Sequence, residues 1–316
     1  MEWDPTQFFR ESDDPVAPFA LLVLNQPINE RAFTVLNDHG KSLSLSNHDL
    51  FTVYLVRISN AALASSILHY LRRRRRKPLL RHDANSQPGI NRHSIRPSVR
   101  AHYERLGVRI LKDADQYSTD FTKCLKYLSA HAAEIIAGRR ATLPPPPPRR
   151  DTRLEILVMG GLGGRVDQAL SQIHHLYVMT REVAESAAAA AAAAVEEEAT
   201  VGNLYLISEE SITFVLQSGK HTIRTPRTNR PGISGRGGSR EEEGFYLLEE
   251  NVGIIPLSGP ARITTHGFEW DVADWLTEIG GRVSTSNHIR ADVVSVETRV
   301  PVLFTLELAE RFKRVR

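Results

Sequence analysis

The sequence predicts a mixed α/β protein, in which an N-terminal α/β domain built on a parallel sheet is followed by a C-terminal antiparallel β-sandwich. In the first part of the chain, short unbroken apolar runs alternate with a helical pattern, as in parallel strands joined by helices. After Gly244 the pattern changes to short apolar segments separated by turn residues, which is typical of an antiparallel sandwich.

The predicted α/β domain covers residues 19–200 and follows an N-terminal tail of residues 1–18. Its strands are the apolar runs 19–24, 108–111 and 154–159. Residues 120–136 predict one amphipathic helix, whose apolar face would carry Phe121, Cys124, Leu125, Leu128, Ala132 and Ile135. The order strand, helix, strand favours a parallel sheet with right-handed crossovers.

The second predicted domain covers residues 201–316, and three segments look like surface insertions. Residues 140–151 contain a polyproline run, which forms a stiff spacer. Residues 184–200 contain an alanine run followed by glutamates, and they would either extend a helix or lie disordered. Residues 225–243 are rich in Gly, Arg, Ser and Glu, which predicts a long polar loop.

Composition excludes several classes of protein. The net charge is only +3, and the excess of base is local to the run Arg72–Lys77, so no nucleic-acid partner is predicted. No segment approaches the roughly 20 apolar residues of a membrane span, so no membrane partner is predicted either. The single cysteine, Cys124, excludes an intrachain disulfide and indicates a reducing compartment, so we expect a cytoplasmic location and a buried Cys124.

The segment 115–123 is the first candidate site, since it lies between a predicted strand and an amphipathic helix. Thr119 or Ser118 would cap the helix, its free amide groups attract anions, and Lys123 adds positive charge one turn later. The carboxylates of Asp115 and Asp120 are ligands that suit Mg²⁺. The alternative is an ordinary capped helix with a solvated first turn.

The second candidate site is the glycine-rich segment 160–168, directly after the strand 154–159. Glycines such as Gly163 and Gly164 let the backbone approach a ligand at the carboxyl edge of a parallel sheet. Arg165 can contact phosphate oxygens, and Asp167 can orient a metal ion or a hydroxyl group. The alternative is a plain tight turn.

The third candidate site lies in the β domain, in segments 264–270 and 280–287. Trp270 beside a glycine-containing turn can stack on a planar cationic ring, and polar side chains such as Ser284 and Asn287 can read the edge of that ring. The alternative is that Trp270 packs in the core. His174 and His175 have no third ligand at metal spacing and are predicted to be helix residues.

Four ordered motifs, DQYSTDFTKCL, GGLGGRVDQ, TTHGFEWDV and GRVSTSN, resemble the thiamine pyrophosphokinase family from about Ser94 to the C-terminus. The phrase LVLNQP at 22–27 is similar to the first strand of that family. The resemblance implies an α/β domain that binds Mg-ATP, a β-sandwich that binds thiamine, and a homodimer with active sites between subunits. It also implies transfer of pyrophosphate from ATP to thiamine, which gives thiamine diphosphate and AMP.

By the same resemblance, the site residues divide into two groups. Those that would bind ATP, its Mg²⁺ or the reacting phosphates are Asp115, Gln116, Thr119, Asp120, Lys123, Gly163, Gly164, Arg165 and Asp167, with Asp120, Arg165 and Asp167 in catalytic roles and Asp115 and Asp120 on the metal. Those that would hold thiamine are Trp270, Ser284 and Asn287.

Residues 37–92 depart from the pattern of the family. Two aspartate positions that would ligate Mg²⁺ fall on Asn91 and His93, and the interval shows no clean strand, turn and helix order. The interval derives either from a misread gene or from a true, degenerate member. An alternative function therefore stays open, namely an impaired relative that binds thiamine or nucleotide without turnover.

Overall fold

The structure is a computed structural model, and it describes residues 1–10, 16–24, 29–42, 53–56, 79–83, 101, 105, 109–113, 115, 117–140, 153–160, 162, 165–192, 200–232 and 245–313. Sixteen β-strands, labelled in chain order, and helices on both faces of one sheet organise these ranges. The mixed α/β class predicted from the sequence is confirmed.

Six neighbouring strands form the parallel part of a large sheet. They are β2 (Phe19–Val23), β3 (Val53–Val56), β4 (Leu79–Asp83), β5 (Arg109–Asp113), β6 (Arg153–Met159) and β7 (Thr200–Ile207). Their spatial order is β5-β4-β3-β2-β6-β7, and every neighbouring pair is parallel. The chain therefore builds outward from β2 in one direction and then returns to the other side of β2, which places the reversal of strand order between β2 and β6.

Helices cover both faces of this sheet because its central strands are apolar on both sides. The helices are α1 (Glu30–Ser42), α2 (Asp120–Ala130), α3 (Ala132–Arg140) and α4 (Val166–Ala192). In β2, Leu21 shares a buried cluster with Phe33 of α1, whereas the next residue, Leu22, shares a different cluster with Leu125 of α2. Successive strand residues point to opposite faces, so α1 and α2 lie on opposite sides.

The large sheet continues beyond β7 with antiparallel strands. These are β8 (Ser211–Leu216), β16 (Val302–Leu308) and β11 (Leu248–Pro256), and β11 also pairs with β10 (Thr228–Asn229) and β14 (Ser284–His288). The complete sheet has 11 strands. One sheet thus contributes to both predicted domains.

A second sheet has five strands in the order β1-β9-β15-β12-β13. They are β1 (Glu2–Trp3), β9 (Gly219–Arg224), β15 (Val293–Thr298), β12 (Ala261–His266) and β13 (Trp275–Thr277). Ile263 and Val296 of this sheet belong to the same buried cluster as Phe214 and Phe304 of the large sheet. The two sheets therefore share one hydrophobic core.

The first ten residues differ from the tail predicted for residues 1–18. Trp3 is buried, it stacks on Phe214 at 4.7 Å between ring centroids, and it donates a hydrogen bond from Nε1 to His221 Nδ1 at 3.0 Å. A 3-10 helix at Pro5–Phe9 buries two further phenylalanines. This packing could not be predicted, because the aromatic segment is too short to show a periodicity.

Three other expectations are corrected. The single helix predicted for 120–136 is two helices, because His131 leaves helical geometry at φ −117° and ψ 12°. The interval 37–92 contains β3 and β4, both in parallel register, where no strand order was expected. Residues 225–232 of the predicted polar loop hold β10 and the buried Thr225 and Thr228.

The predicted insertions have mixed outcomes. Of residues 184–200, the first nine continue α4 to Ala192. The polyproline run and the charged part of the polar loop lie outside the described residues. Within the described ranges, no helix combines the length and apolarity that crossing a membrane requires.

Candidate functional site

The reversal of strand order between β2 and β6 is where an open α/β sheet forms a ligand crevice, at the carboxyl ends of its strands. Leu24, after β2, donates its backbone N–H to Met159 O at the end of β6, at 2.9 Å. Gly160 follows with φ 79°, a conformation that a side chain disfavours, and it begins the glycine-rich segment. Gly163 and Gly164 themselves lie outside the described residues.

The segment before α2 forms a tight turn around Asp115. Its Oδ1 accepts hydrogen bonds from the backbone N–H groups of Tyr117 at 2.9 Å and Ser118 at 3.3 Å. Hydrogen bonds from the Ser118 side chain and the Tyr117 backbone, in that order, lower the pKa of Asp115. The carboxylate therefore stays ionised at neutral pH, as a ligand for a hard cation must be.

Of the two predicted caps, Thr119 and Ser118, it is Thr119 that caps α2. It has extended geometry, and its Oγ1 accepts a hydrogen bond from Thr122 N at 3.1 Å. Lys123 lies in the first turn and is buried, with 2% of its surface exposed. Gln116 and the side chain of Asp120 lie outside the part of the chain that the structure describes.

The first turn of α2 packs against an interior position of α4. Thr122 Oγ1 is 3.5 Å from His175 Nδ1, and the Phe121 ring meets the His175 ring edge-on at 5.3 Å between centroids. Burial, followed by the charge of neighbouring His174, lowers the pKa of His175. His175 is therefore predominantly neutral at pH 7, and both histidines are helix residues, as predicted.

Arg165 and Asp167 form an exposed pair at the start of α4. Arg165 Nε lies 3.1 Å from Asp167 Oδ1, and a second guanidinium nitrogen lies 2.6 Å from Oδ2. Hydrogen bonding to Arg165 lowers the pKa of Asp167, and the same hydrogen bond raises the pKa of Arg165. The two charges compensate each other in the ligand-free protein, and Asp167 takes two of the five N–H donors of the guanidinium.

A cavity of about 580 Å³ opens beyond the carboxyl ends of β6 and β7. Leu162 of the glycine-rich segment lines one side, and the turn Ser208–Ser211, which connects β7 to β8, lines another. Gly253 of β11, Thr285 of β14 and Thr305 of β16 complete much of the wall. The carboxyl ends of two parallel strands therefore meet the antiparallel strands around one space.

Several residues of this cavity were not predicted. Glu209, Glu210 and Glu307 give its wall negative charge, and Thr285 lies between the predicted Ser284 and Asn287. The sequence does contain a signal for Glu209 and Glu210, because the polar stretch SEES separates two apolar strands. Glu307 lies in a strand distant in sequence, and only the register of β16 with β8 and β11 brings it there.

Trp270 is a surface residue and not part of the core. It is 55% exposed, and its ring lies 5.0 Å from the His288 ring between centroids, at an interplanar angle of 43°. One face of the indole is thus partly backed, and much of its surface remains open to a ligand. Trp275, by contrast, is partly buried and packs against the shared core.

Asn287 is buried and holds the backbone of Trp270. Its Oδ1 accepts a hydrogen bond from Trp270 N at 3.1 Å, and its Nδ2 donates to Trp270 O at 2.9 Å. Ser284 lies three residues earlier in β14, opposite Ile254 of β11. The structure therefore brings Trp270 and Asn287 together, whereas Thr285 is the β14 residue that lines the cavity.

Two family models match separate parts of the chain. The model described as "Thiamin pyrophosphokinase, catalytic domain" matches residues 92–186, and "Thiamin pyrophosphokinase, vitamin B1 binding domain" matches residues 220–303. Among solved structures, a thiamin pyrophosphokinase from Candida albicans superposes with a TM-score of 0.62 at 20% identity, over 97% of this chain and 92% of that one. The yeast enzyme gives the same TM-score and identity, over 97% and 90%.

Sequence relatives agree with these models. Thiamine pyrophosphokinase 1 from Oryza sativa subsp. japonica is 25% identical over 218 residues, which cover 68% of this chain but only 63% of the rice protein, less than two thirds of its length. Thiamine pyrophosphokinase 1 from Arabidopsis thaliana is 25% identical over 296 residues, which cover 92% of this chain and 86% of that protein. Because both models of one family match, in the expected order and over more than half of the sequence, the chain belongs to the thiamin pyrophosphokinase family.

Proposed function

We propose that this protein transfers pyrophosphate from ATP to the hydroxyl group of thiamine, which gives thiamine diphosphate and AMP. The observation that carries the proposal is the cavity between the carboxyl ends of β6 and β7 and the strands β11, β14 and β16. The catalytic-domain model covers Leu162, and the vitamin-binding model covers the lining residues of β11 and β14, whereas the turn Ser208–Ser211 lies between the two matched ranges. The names of the relatives, all pyrophosphokinases, do not favour a binding protein without turnover.

The α/β part, residues 19–200, is proposed to bind the nucleotide. The N-terminus of α2, the positive charge of Lys123 and the guanidinium of Arg165 suit a polyphosphate. Gln116 and Asp120, with Gly163 and Gly164, are proposed to complete this side. Arg165 would exchange Asp167 for phosphate oxygens, leaving the Asp167 carboxylate available to orient a metal ion or the thiamine hydroxyl.

The β part, residues 201–316, is proposed to form an antiparallel sandwich that binds thiamine. The exposed indole of Trp270 suits stacking on a planar, cationic heteroaromatic ring. Asn287 fixes the backbone of Trp270, and Ser284 offers a hydroxyl group on the same strand. Glu209 and Glu210 in the cavity wall favour a cation over an anion at this side.

The chemistry proposed is in-line displacement. The thiamine oxygen forms a bond to the β-phosphorus as the bond from that phosphorus to the oxygen of AMP breaks, and the hydroxyl proton is released. The protein contributes positioning and charge compensation, and no covalent intermediate is needed.

Mg²⁺ is proposed to accompany ATP. Such an ion keeps phosphate and water ligands and needs only one or two protein carboxylates, so the ionised carboxylate of Asp115 fits it. Among the residues that the structure describes, no three acidic, histidine or cysteine side chains converge as a metal site. When bound, the ion would neutralise negative charge on the phosphates, and Asp120 is the second proposed ligand.

A homodimer with active sites at the subunit interface and a cytoplasmic location complete the proposal. The family resemblance supports the first. The single, buried Cys124 suits a reducing compartment and supports the second.

The proposal is tested by measuring AMP and thiamine diphosphate formed from thiamine and Mg-ATP. Thr285→Trp should fill the cavity from its rim and reduce kcat/KM for thiamine by about 100-fold, since substrates then lose their alignment. Glu297→Trp, an exposed position of β15 in the second sheet, is the matched control and should retain activity. Equal activity of both variants, or no AMP from the parent protein, would overturn the proposal.

A further inference from the structure

Asn29 is a buried amide at the carboxyl edge of the parallel sheet. It is 1% exposed and lies between β2 and α1. Its Oδ1 accepts a hydrogen bond from Ala32 N at 3.1 Å, which caps the first turn of α1. A helix cap uses only the oxygen of this side chain, so the nitrogen is available for another role.

The Asn29 nitrogen faces three backbone carbonyl groups from distant parts of the sequence. Nδ2 lies 3.3 Å from Ser208 O, 3.1 Å from Glu209 O and 2.6 Å from Phe312 O. An amide NH₂ group carries two protons, which these three acceptors share. A carboxylate here would face three carbonyl oxygens without a proton to donate, and an apolar side chain would leave buried acceptors unsatisfied.

Two of these carbonyls belong to the turn that forms one wall of the cavity. Inside the turn, Ser208 Oγ accepts hydrogen bonds from Glu210 N at 3.1 Å and Ser211 N at 2.9 Å, which set its local shape. Those bonds do not attach the turn to the sheet edge at β2. Asn29 makes that attachment.

We propose that Asn29 is a positioning residue that fixes the Ser208–Ser211 turn, and with it the acidic wall of the cavity, relative to the edge of the parallel sheet. The expected effect of Asn29 on thiamine binding rests on the proposed function, because the acidic wall lies on the proposed thiamine side of the cavity. Its structural half, the attachment of the turn, is independent of any activity.

Asn29→Ser separates the two roles of the residue. A serine oxygen still caps α1, but its side chain is too short to reach the three carbonyls. Phe33→Leu is the control for general destabilisation, since Phe33 lies on α1 and its side chain is buried in the shared core. Hydrogen exchange of the peptide spanning residues 205–212 reports the turn, and steady-state kinetics report the cavity.

We expect Asn29→Ser to speed exchange in this peptide and to raise the KM for thiamine about tenfold with the KM for ATP little changed, while Phe33→Leu does neither. If Asn29→Ser leaves exchange in the turn at the parent rate, the inference is wrong. Faster exchange with an unchanged KM for thiamine would also overturn it. If the parent protein has no activity, the proposed function fails, and the exchange experiment still decides whether Asn29 holds the turn.

Discussion

Glu155 in β6 offers a test of how burial controls the stability of the central sheet. The side chain is 7% exposed, and its Oε2 accepts a hydrogen bond from Asn203 N at 3.1 Å. Burial away from water raises the pKa of Glu155 to about 8, because this effect is larger than the opposing effect of the hydrogen bond. Replacement by glutamine keeps an oxygen that accepts from Asn203 and removes the proton that titrates.

The direction of the effect follows from proton linkage. The folded protein retains a proton on Glu155 that the unfolded chain releases above the ordinary pKa of 4.5. The stabilisation is therefore fully present below pH 4.5, is lost as the pH rises, and levels off above the folded pKa of about 8. The slope between these values is about 1.4 kcal/mol per pH unit, so roughly 3 kcal/mol is lost by pH 7 and about 5 kcal/mol in total.

We expect Glu155→Gln to be more stable than the parent protein at pH 8 and to lose most of this slope. Urea unfolding of the full chain between about pH 5 and pH 9 measures it, with the midpoint and its slope converted to a free energy of unfolding. Glu182→Gln, an exposed position of α4, is the matched control and should follow the parent profile. Parallel profiles for the parent and Glu155→Gln would refute the reasoning.

Three further predictions concern close packing and the proposed substrates. Gly202→Ala should destabilise the fold by about 1–3 kcal/mol, because its Cβ would lie 2.5 Å from Glu155 Oε1, and thermal unfolding measures it. Arg165→Ala should lower kcat for AMP release by about 100-fold. Arg262→Ala removes another exposed arginine that pairs with an aspartate, and it should leave kcat unchanged. Equal losses in the two variants would exclude a phosphate role for Arg165. Trp270→Ala should weaken thiamine binding by calorimetry about tenfold more than ATP binding, and equal weakening would indicate a packing residue.

The sequence predicts best those elements whose apolar pattern decides the structure. The strand predicted for 154–159 is β6, because its residues are buried on both faces of a parallel sheet. The face predicted from Phe121 to Ala132 is buried as a stripe, although His131 divides the helix. Thr119 is the N-cap, as a short hydroxyl side chain before a helical pattern indicates.

The sequence could not predict contacts that depend on long-range register. Trp3 completes a sheet whose other strands begin more than 200 residues later, and no local pattern encodes that pairing. In the sequence, Asn29 is one polar residue near a predicted turn. Its hydrogen-bond acceptors, the carbonyl groups of Ser208, Glu209 and Phe312, are distant in sequence and are brought to it only by the fold. The pairing of Arg165 with Asp167 depends on rotamers at a helix start, which spacing alone does not fix.

The position of β16 has a consequence for synthesis of the protein. This strand lies between β8 and β11, although it follows both of them in the chain. Until residues 302–308 leave the ribosome, β8 and β11 each lack a neighbour, and their apolar edges can pair with another nascent chain. Pairings such as Ile212 with Leu306 are also remote in sequence, which slows closure of the sheet. The soluble yield of this protein should therefore depend on how quickly β16 is synthesised. A chaperone that shields strand edges during translation should raise that yield.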